Sequence, residues 1–225
     1  MTAMRWYLRH WYDVGLGVCI VVLACGVLIQ LATLQQILLL SLAVLFLHEF
    51  EEYGWPGGLP TFMNGVMRPS EHPDRYPLNQ LNSLVINVPA AYLFYGIAIF
   101  YPHVIWLGLA PILFNFLEVL LHVGGGVAVA RARYSPGLVT VLPWLVLSIW
   151  YISEITSNNL VTSTDWWAAV AYLIAFVVVF LFLVTYVLLA DKNSPYAFAP
   201  EEMNRFEKYR HLVHRAVHPH PEPAT

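Results

Sequence analysis

Six stretches of near-continuous apolar residues, joined by polar connections, run along this chain at about 14–34, 36–53, 82–101, 103–123, 138–157 and 166–190. Each approaches the ~20 residues that an α-helix, rising 1.5 Å per residue, needs to cross a hydrocarbon core. None alternates residue by residue as a transmembrane β-strand does. The pattern predicts an all-α, multi-pass transmembrane bundle of six helices. The second stretch has an unusual end. It runs Phe46-Leu47-His48-Glu49-Phe50-Glu51-Glu52, so an imidazole and three carboxylates close a row of lipid-like side chains. Ionisable groups at membrane depth are costly and mark a functional site by default.

The connections carry the next layer of information. Gly54 to Leu81 is the one long internal connection, and its Trp55-Pro56-Gly57-Gly58, Leu59-Pro60, Arg68-Pro69, His72-Pro73 and Tyr76-Pro77 forbid a single continuous helix. Long connections of this kind are often lids or binding loops. The segment 191–225 is polar and reads as a solvated, partly disordered tail, with His211, His214, His218 and His220 able to bind metal adventitiously. Arg5 and Arg9 ahead of the first stretch look like the start of a secretory leader, and Val22-Leu23-Ala24-Cys25 loosely matches a lipoprotein cleavage site. The apolar run continues past both to Leu34, longer than a cleavable segment, so an uncleaved first helix is expected.

Composition supports the membrane reading. The chain is 59% hydrophobic and 11% charged, against about 25% charged residues in soluble domains. All 11 Lys and Arg fall in four segments: the N-terminal one, the second-to-third and fourth-to-fifth connections, and the tail. The connections near residues 35, 102 and 160 hold none. The positive-inside rule then places both termini in the cytoplasm and the bundle in the inner (plasma) membrane. A net charge of −3 without a basic block argues against nucleic acid as a partner. Cys19 and Cys25 share the first apolar run and form neither a disulfide framework nor a thiolate metal site.

Helical residues three and four apart share a face. His48 therefore stands with Glu51 and Glu52, whereas Glu49 projects elsewhere and is expected to end the helix at the headgroups. In the fourth stretch, Asn115, Glu118 and His122 fall on one face. Asn82 and Asn87 open the third. With alternating directions of travel, all these groups lie within roughly 15 Å of the cytoplasmic boundary. Imidazole and carboxylate without thiolate suit Zn, Fe or Mn. His48-x-x-Glu51-Glu52 reads as the inverse zinc-hydrolase pattern with a carboxylate in place of the second His. On this reading His48, Glu52, Glu118 and His122 are the metal ligands and Glu51 is the general base for an activated water. Asn82, Asn87 and Asn115 would bind substrate or orient a ligand.

His48-Glu49-Phe50-Glu51-Glu52, the downstream Asn residues, Asn115 and His122, and Arg133-Tyr134-Ser135-Pro136-Gly137 together resemble the HXXEE-motif membrane proteins of bacteria, over about residues 36–190. The resemblance implies membership of that family and a polar site at His48, Glu51, Glu52 and His122. It does not imply a reaction, and Glu118 rests on spacing alone. From the residues themselves, the expectation is a metal-dependent membrane enzyme acting on a lipid-like or amphipathic substrate at the cytoplasmic leaflet, with hydrolysis as the reaction. A proton-coupled transporter and a non-catalytic structural module are the competing classes.

Overall fold

The structure is a computed structural model, and it describes residues 3–213. Six apolar helices make up the bundle: α1 Ala3–Leu28, α2 Thr33–Gly54, α3 Gln80–Phe100, α4 Ile105–Val129, α5 Val141–Ser157 and α6 Ser163–Leu188. Five are long and apolar enough to cross a membrane, and α5, at 17 residues, is a shorter apolar helix. The described residues form no strand; Ala132 and Val213 make one isolated antiparallel bridge. This is a multi-pass helical bundle of membrane-protein character. Its outer faces show Ile20, Val27, Leu142 and Phe182, each more than half exposed, as lipid-facing helices do.

Helix α1 starts well before the apolar run, because its first turns are amphipathic. Leu8, Trp11 and Tyr12 are buried while Met4 and Trp6 are exposed. It ends at Leu28, where Gln36 Nε2 donates to the Gly26 carbonyl at 3.0 Å and satisfies a group freed by the turn. Helix α2 lies inside the bundle, packed on α1, α3 and α5. Ile37, Leu38, Phe94, Leu109, Ile112, Trp144 and Ile155 build the apolar core with it. Phe94 and Phe176 stack at 4.1 Å between ring centroids and tie α6 to α3.

Asn115 sits in that core, fully buried. Its Oδ1 accepts from the Tyr95 hydroxyl, and its Nδ2 donates to Ser148 Oγ at 3.0 Å and Ser41 Oγ at 3.3 Å. One amide thereby links α2, α3, α4 and α5. Such interhelical bonds contribute roughly 0.6 kcal/mol each in membranes.

One end of the bundle carries a cap made by the 54–81 connection and the chain from 195 to 213. Tyr209 Oη donates to the Gly57 carbonyl at 2.7 Å, and Thr61 Oγ1 to that of Met203 at 2.8 Å. Arg205 reaches Tyr12 Oη at 2.9 Å and also bonds the Tyr53 carbonyl. Phe62, Val66, Phe206 and Tyr209 bury one another beneath. The residues of the tail up to Val213 are thus docked chain, where composition alone suggested a solvated one. Apolar Phe198, Met203 and Phe206, spaced among charges, supply the docking face. His211 lies exposed at its edge; His214, His218 and His220 lie outside the described residues. The contacts bring the N-terminal helix, the long connection, the 130–140 turn and the tail to the same end.

Candidate metal centre

Four of the six helices carry a π-wound segment, and those of α2 and α4 bear the site residues. Trp55 N bonds Phe50 O at 2.8 Å and Ala130 N bonds Gly125 O at 3.0 Å, both five residues apart, so Phe50–Gly54 and Leu121–Val129 are π-wound. Such segments are frequent at functional sites because they re-aim side chains that a regular helix would hold in register. The first segment carries Glu51 and Glu52, and the second carries His122.

His48, Glu118 and His122 place one ligand atom each within 4.8 Å of one another. Glu52 joins them: its Oε1 is 3.4 Å from His48 Nε2 and 3.5 Å from His122 Nε2. Glu118 Oε2 is also 3.5 Å from His122 Nε2. The two imidazole rings meet edge to face at 4.9 Å. These separations exceed the ~2.7–2.9 Å of a charge-assisted hydrogen bond. Within the group of three, the Glu118–His122 separation of 3.5 Å is close to the ~3.3–3.4 Å edge of a tetrahedron whose centre binds its corners at about 2.0–2.1 Å. Among the described residues, neither Glu52 nor Glu118 pairs with a Lys or Arg. Two carboxylates beside two imidazoles, all largely buried, leave negative charge that a divalent cation would balance. The group can hold a metal ion, and the donor chemistry fits one.

Glu51 is placed differently from its expected role as base. Its Oε1 accepts from Tyr134 Oη at 2.8 Å and Val139 N at 3.1 Å. Its Oε2 accepts from Thr140 N at 2.8 Å and Thr140 Oγ1 at 2.6 Å. A carboxylate offers about four lone-pair positions, and all four are taken. Glu51 anchors the 134–140 turn and has no position left for a substrate water. Tyr134 remains a donor, since burial and the adjacent Glu51 charge push its phenol up from the ordinary value.

Glu49 also departs from expectation. It is 1% exposed rather than at the headgroups. Its Oε2 accepts from Tyr92 Oη at 2.8 Å beside Gly15, and its Oε1 is buried with no partner among the described residues. Gly15 of α1 leaves space for the donor: a Cβ there would fall 3.3 Å from Tyr92 Oη and 3.2 Å from Phe46 Cδ1.

The three asparagines part company. Asn87 lines the cavity next to the donor group, with its Nδ2 on the Ser83 carbonyl at 2.9 Å. Asn82 is away from the cavity wall: it caps the start of α3 through Asn79 N at 2.8 Å, and holds the carbonyls of Pro77 and Thr185. Asn115 is deeper, in the interhelical network already described.

Sequence reasoning passed over the residues that hold the imidazoles. Thr140 Oγ1 lies 2.9 Å from His48 Nδ1, and Ser135 Oγ lies 3.5 Å from His122 Nδ1. Gly137 stands between the rings with φ +93°; a Cβ there would fall 2.5 Å from His122 Cε1 and 2.6 Å from His48 Cε1. The signal was Ser135-Pro136-Gly137-Leu138-Val139-Thr140, a hydroxyl-bearing Pro-Gly turn between two apolar spans.

No curated protein and no solved structure matches the chain significantly. A family model does match, over residues 39–152, just over half of the chain. That stretch holds His48, Glu51, Glu52, Glu118, His122 and the turn behind them, and this chain therefore belongs to the family described as protein of unknown function with HXXEE motif.

Proposed function

We propose that this protein is a metal-dependent integral membrane enzyme acting on an amphiphile drawn from the bilayer, with hydrolysis as its reaction. The observation that carries the reading is convergence: His48, Glu52, Glu118 and His122 meet in the wall of one apolar cavity of about 380 Å³. Leu45, Phe62, Met63, Ile86 and Phe114 form much of the remaining wall, which suits an alkyl chain. Leu121 lines the cavity and is 46% exposed on the outer surface, so the cavity lies one side chain from surrounding hydrocarbon. Arg68 lines it too, its guanidinium 4.3 Å above the Tyr186 ring and without an ion pair among the described residues. It suits a negatively charged headgroup.

A bound divalent ion would supply Lewis-acid polarisation of a carbonyl or phosphoryl oxygen and make water acidic enough to react near neutral pH. His48, Glu118 and His122 form a two-imidazole, one-carboxylate set of the kind that leaves a position open. Glu52, in contact with both imidazoles, takes the proton-accepting role that the engaged Glu51 cannot. The basic end of the bundle faces the cytoplasm by the positive-inside rule, in the inner (plasma) membrane, so reaction occurs at headgroup level of the cytoplasmic leaflet.

Metal analysis of protein purified in nanodiscs should find about one ion per chain, lost in His48→Ala and His122→Ala. A panel of fluorogenic acyl and phosphoryl amphiphiles should include one that is hydrolysed, with turnover abolished by a chelator and restored by the ion. Metal-free wild-type protein under all loading conditions would defeat the proposal. A bound ion with no turnover, but with proton flux in proteoliposomes, would favour a carrier.

A further inference from the structure

Building on the metal-centre reading, we infer that Glu51 is a positioning residue: acting through Thr140, it fixes the tautomer of His48 so that Nε2 presents its lone pair to a divalent cation. The direction of each bond decides this. Thr140 Oγ1 has one proton and three neighbours: Glu51 Oε2 at 2.6 Å, the Gly137 carbonyl at 3.1 Å and His48 Nδ1 at 2.9 Å. A carboxylate is the strongest acceptor of the three and the nearest, so the hydroxyl proton points to Glu51. The oxygen lone pairs then face His48 Nδ1, which must donate. A neutral imidazole carries one proton. With it on Nδ1, Nε2 is bare, and Nε2 is the ring atom on the side of the other site residues, 3.4 Å from Glu52 Oε1.

The same turn works on the other ring. Ser135, 1% exposed, sits at Nδ1 of His122, leaving that ring's Nε2 toward Glu52 and Glu118. Gly137 occupies the space between the rings, where no Cβ fits. A single turn from Tyr134 to Thr140 therefore holds both imidazoles, and Glu51 holds the turn by four bonds. The HXXEE motif divides its labour on this account: Glu52 faces the ion and Glu51 faces the frame around it. Partners that orient a metal-bound imidazole are worth about 10–100-fold in metal affinity.

The probe is zinc alone, titrated against a chelating dye, with cobalt as a spectroscopic substitute. Thr140→Val keeps the shape and the backbone bond to Glu51 while removing the hydroxyl. It should weaken zinc binding by about 10–100-fold and alter the cobalt absorption spectrum. Thr140→Ser should restore both. Metal-free Thr140→Val should melt below Thr140→Ser, because one of the four bonds to Glu51 is gone, yet remain folded at the assay temperature, and its altered cobalt spectrum is a change that a merely structural hydroxyl would not give. Independently of any variant, nitrogen-labelled histidine in zinc-loaded wild-type protein should show His48 protonated at Nδ1 and bound through Nε2. Wild-type affinity in Thr140→Val, or metal on Nδ1 of His48, would overturn this inference and leave the metal centre standing. Wild-type protein that binds no zinc would overturn both.

Discussion

Alanine at Gly137 tests the convergence of the two imidazoles through a single added methyl group. The new Cβ would lie 2.5 Å from His122 Cε1, 2.6 Å from His48 Cε1 and 2.9 Å from His122 Nε2. Non-bonded carbons rest at about 3.5–4.0 Å, so the rings must part by roughly an ångström. Overpacking of this kind costs about 1–3 kcal/mol. The backbone at φ +93° adds about 1–2 kcal/mol for an L-residue. The backbone share acts on the turn and lowers the thermal midpoint with or without metal. The steric share falls on the ligand pair, and predicts zinc binding weaker by about 5–150-fold at 1.4 kcal/mol per tenfold. Competition with a chelating dye reads the affinity, and differential scanning fluorimetry reads the midpoint. Gly124→Ala serves as the control, because a Cβ there meets nothing within 4 Å and alanine favours the helix by roughly 0.5–1 kcal/mol. Zinc affinity in Gly137→Ala within twofold of wild type would refute the reasoning.

Other consequences separate the site from its frame. Asn115→Ala should cost about 1–3 kcal/mol in detergent by leaving the Tyr95, Ser41 and Ser148 hydroxyls without their partner, while zinc stoichiometry stays at the wild-type value; metal loss without destabilisation would contradict this. Arg68→Ala should weaken binding of a single-chain anionic detergent about tenfold, roughly one exposed charge-assisted contact, and leave a zwitterionic one unchanged; equal losses for both would count against Arg68 as the headgroup contact. Burial pushes the Glu202 carboxyl above its ordinary value of 4.5, despite bonds from Ala199 N and Gln80 Nε2. The folded chain then holds that proton more tightly than the unfolded one, so the contribution is full below about pH 4.5 and declines as pH rises through the raised value. Across pH 4.5–8 the thermal midpoint of wild type should fall relative to Glu202→Gln; a wild-type advantage that grows with pH would exclude the assignment.

Much of this bundle is written in its hydropathy. The apolar runs give the six helices, and the spacing of His48 and Glu52, and of Glu118 and His122, marks pairs that the structure brings to one place. The remainder depends on which faces meet, and a one-dimensional pattern does not contain that. Spacing puts Glu51 on the face of His48, yet the widened turn at Phe50–Gly54 and four donors from a segment some 90 residues away turn it into an anchor. Glu49 reads as a headgroup carboxylate until Tyr92 of a different helix, close against Gly15, donates to it. Met4 to Asp13 is too polar to count as membrane span, but its period of burial continues α1 into the interface. The docked tail escaped notice because Phe198, Met203 and Phe206 are sparse among charged neighbours, and their partners lie in the 54–81 connection.

Two imidazoles and neighbouring carboxylates sharing one ion define the proposed centre, and X-ray absorption at the zinc edge of loaded protein in nanodiscs measures that environment directly. The expected signal is a four-coordinate shell of nitrogen and oxygen at about 2.0–2.1 Å, with the outer scattering of two imidazoles, reduced to one in His122→Ala. A shell of water oxygens without imidazole scattering, or a spectrum unchanged by His122→Ala, would contradict it.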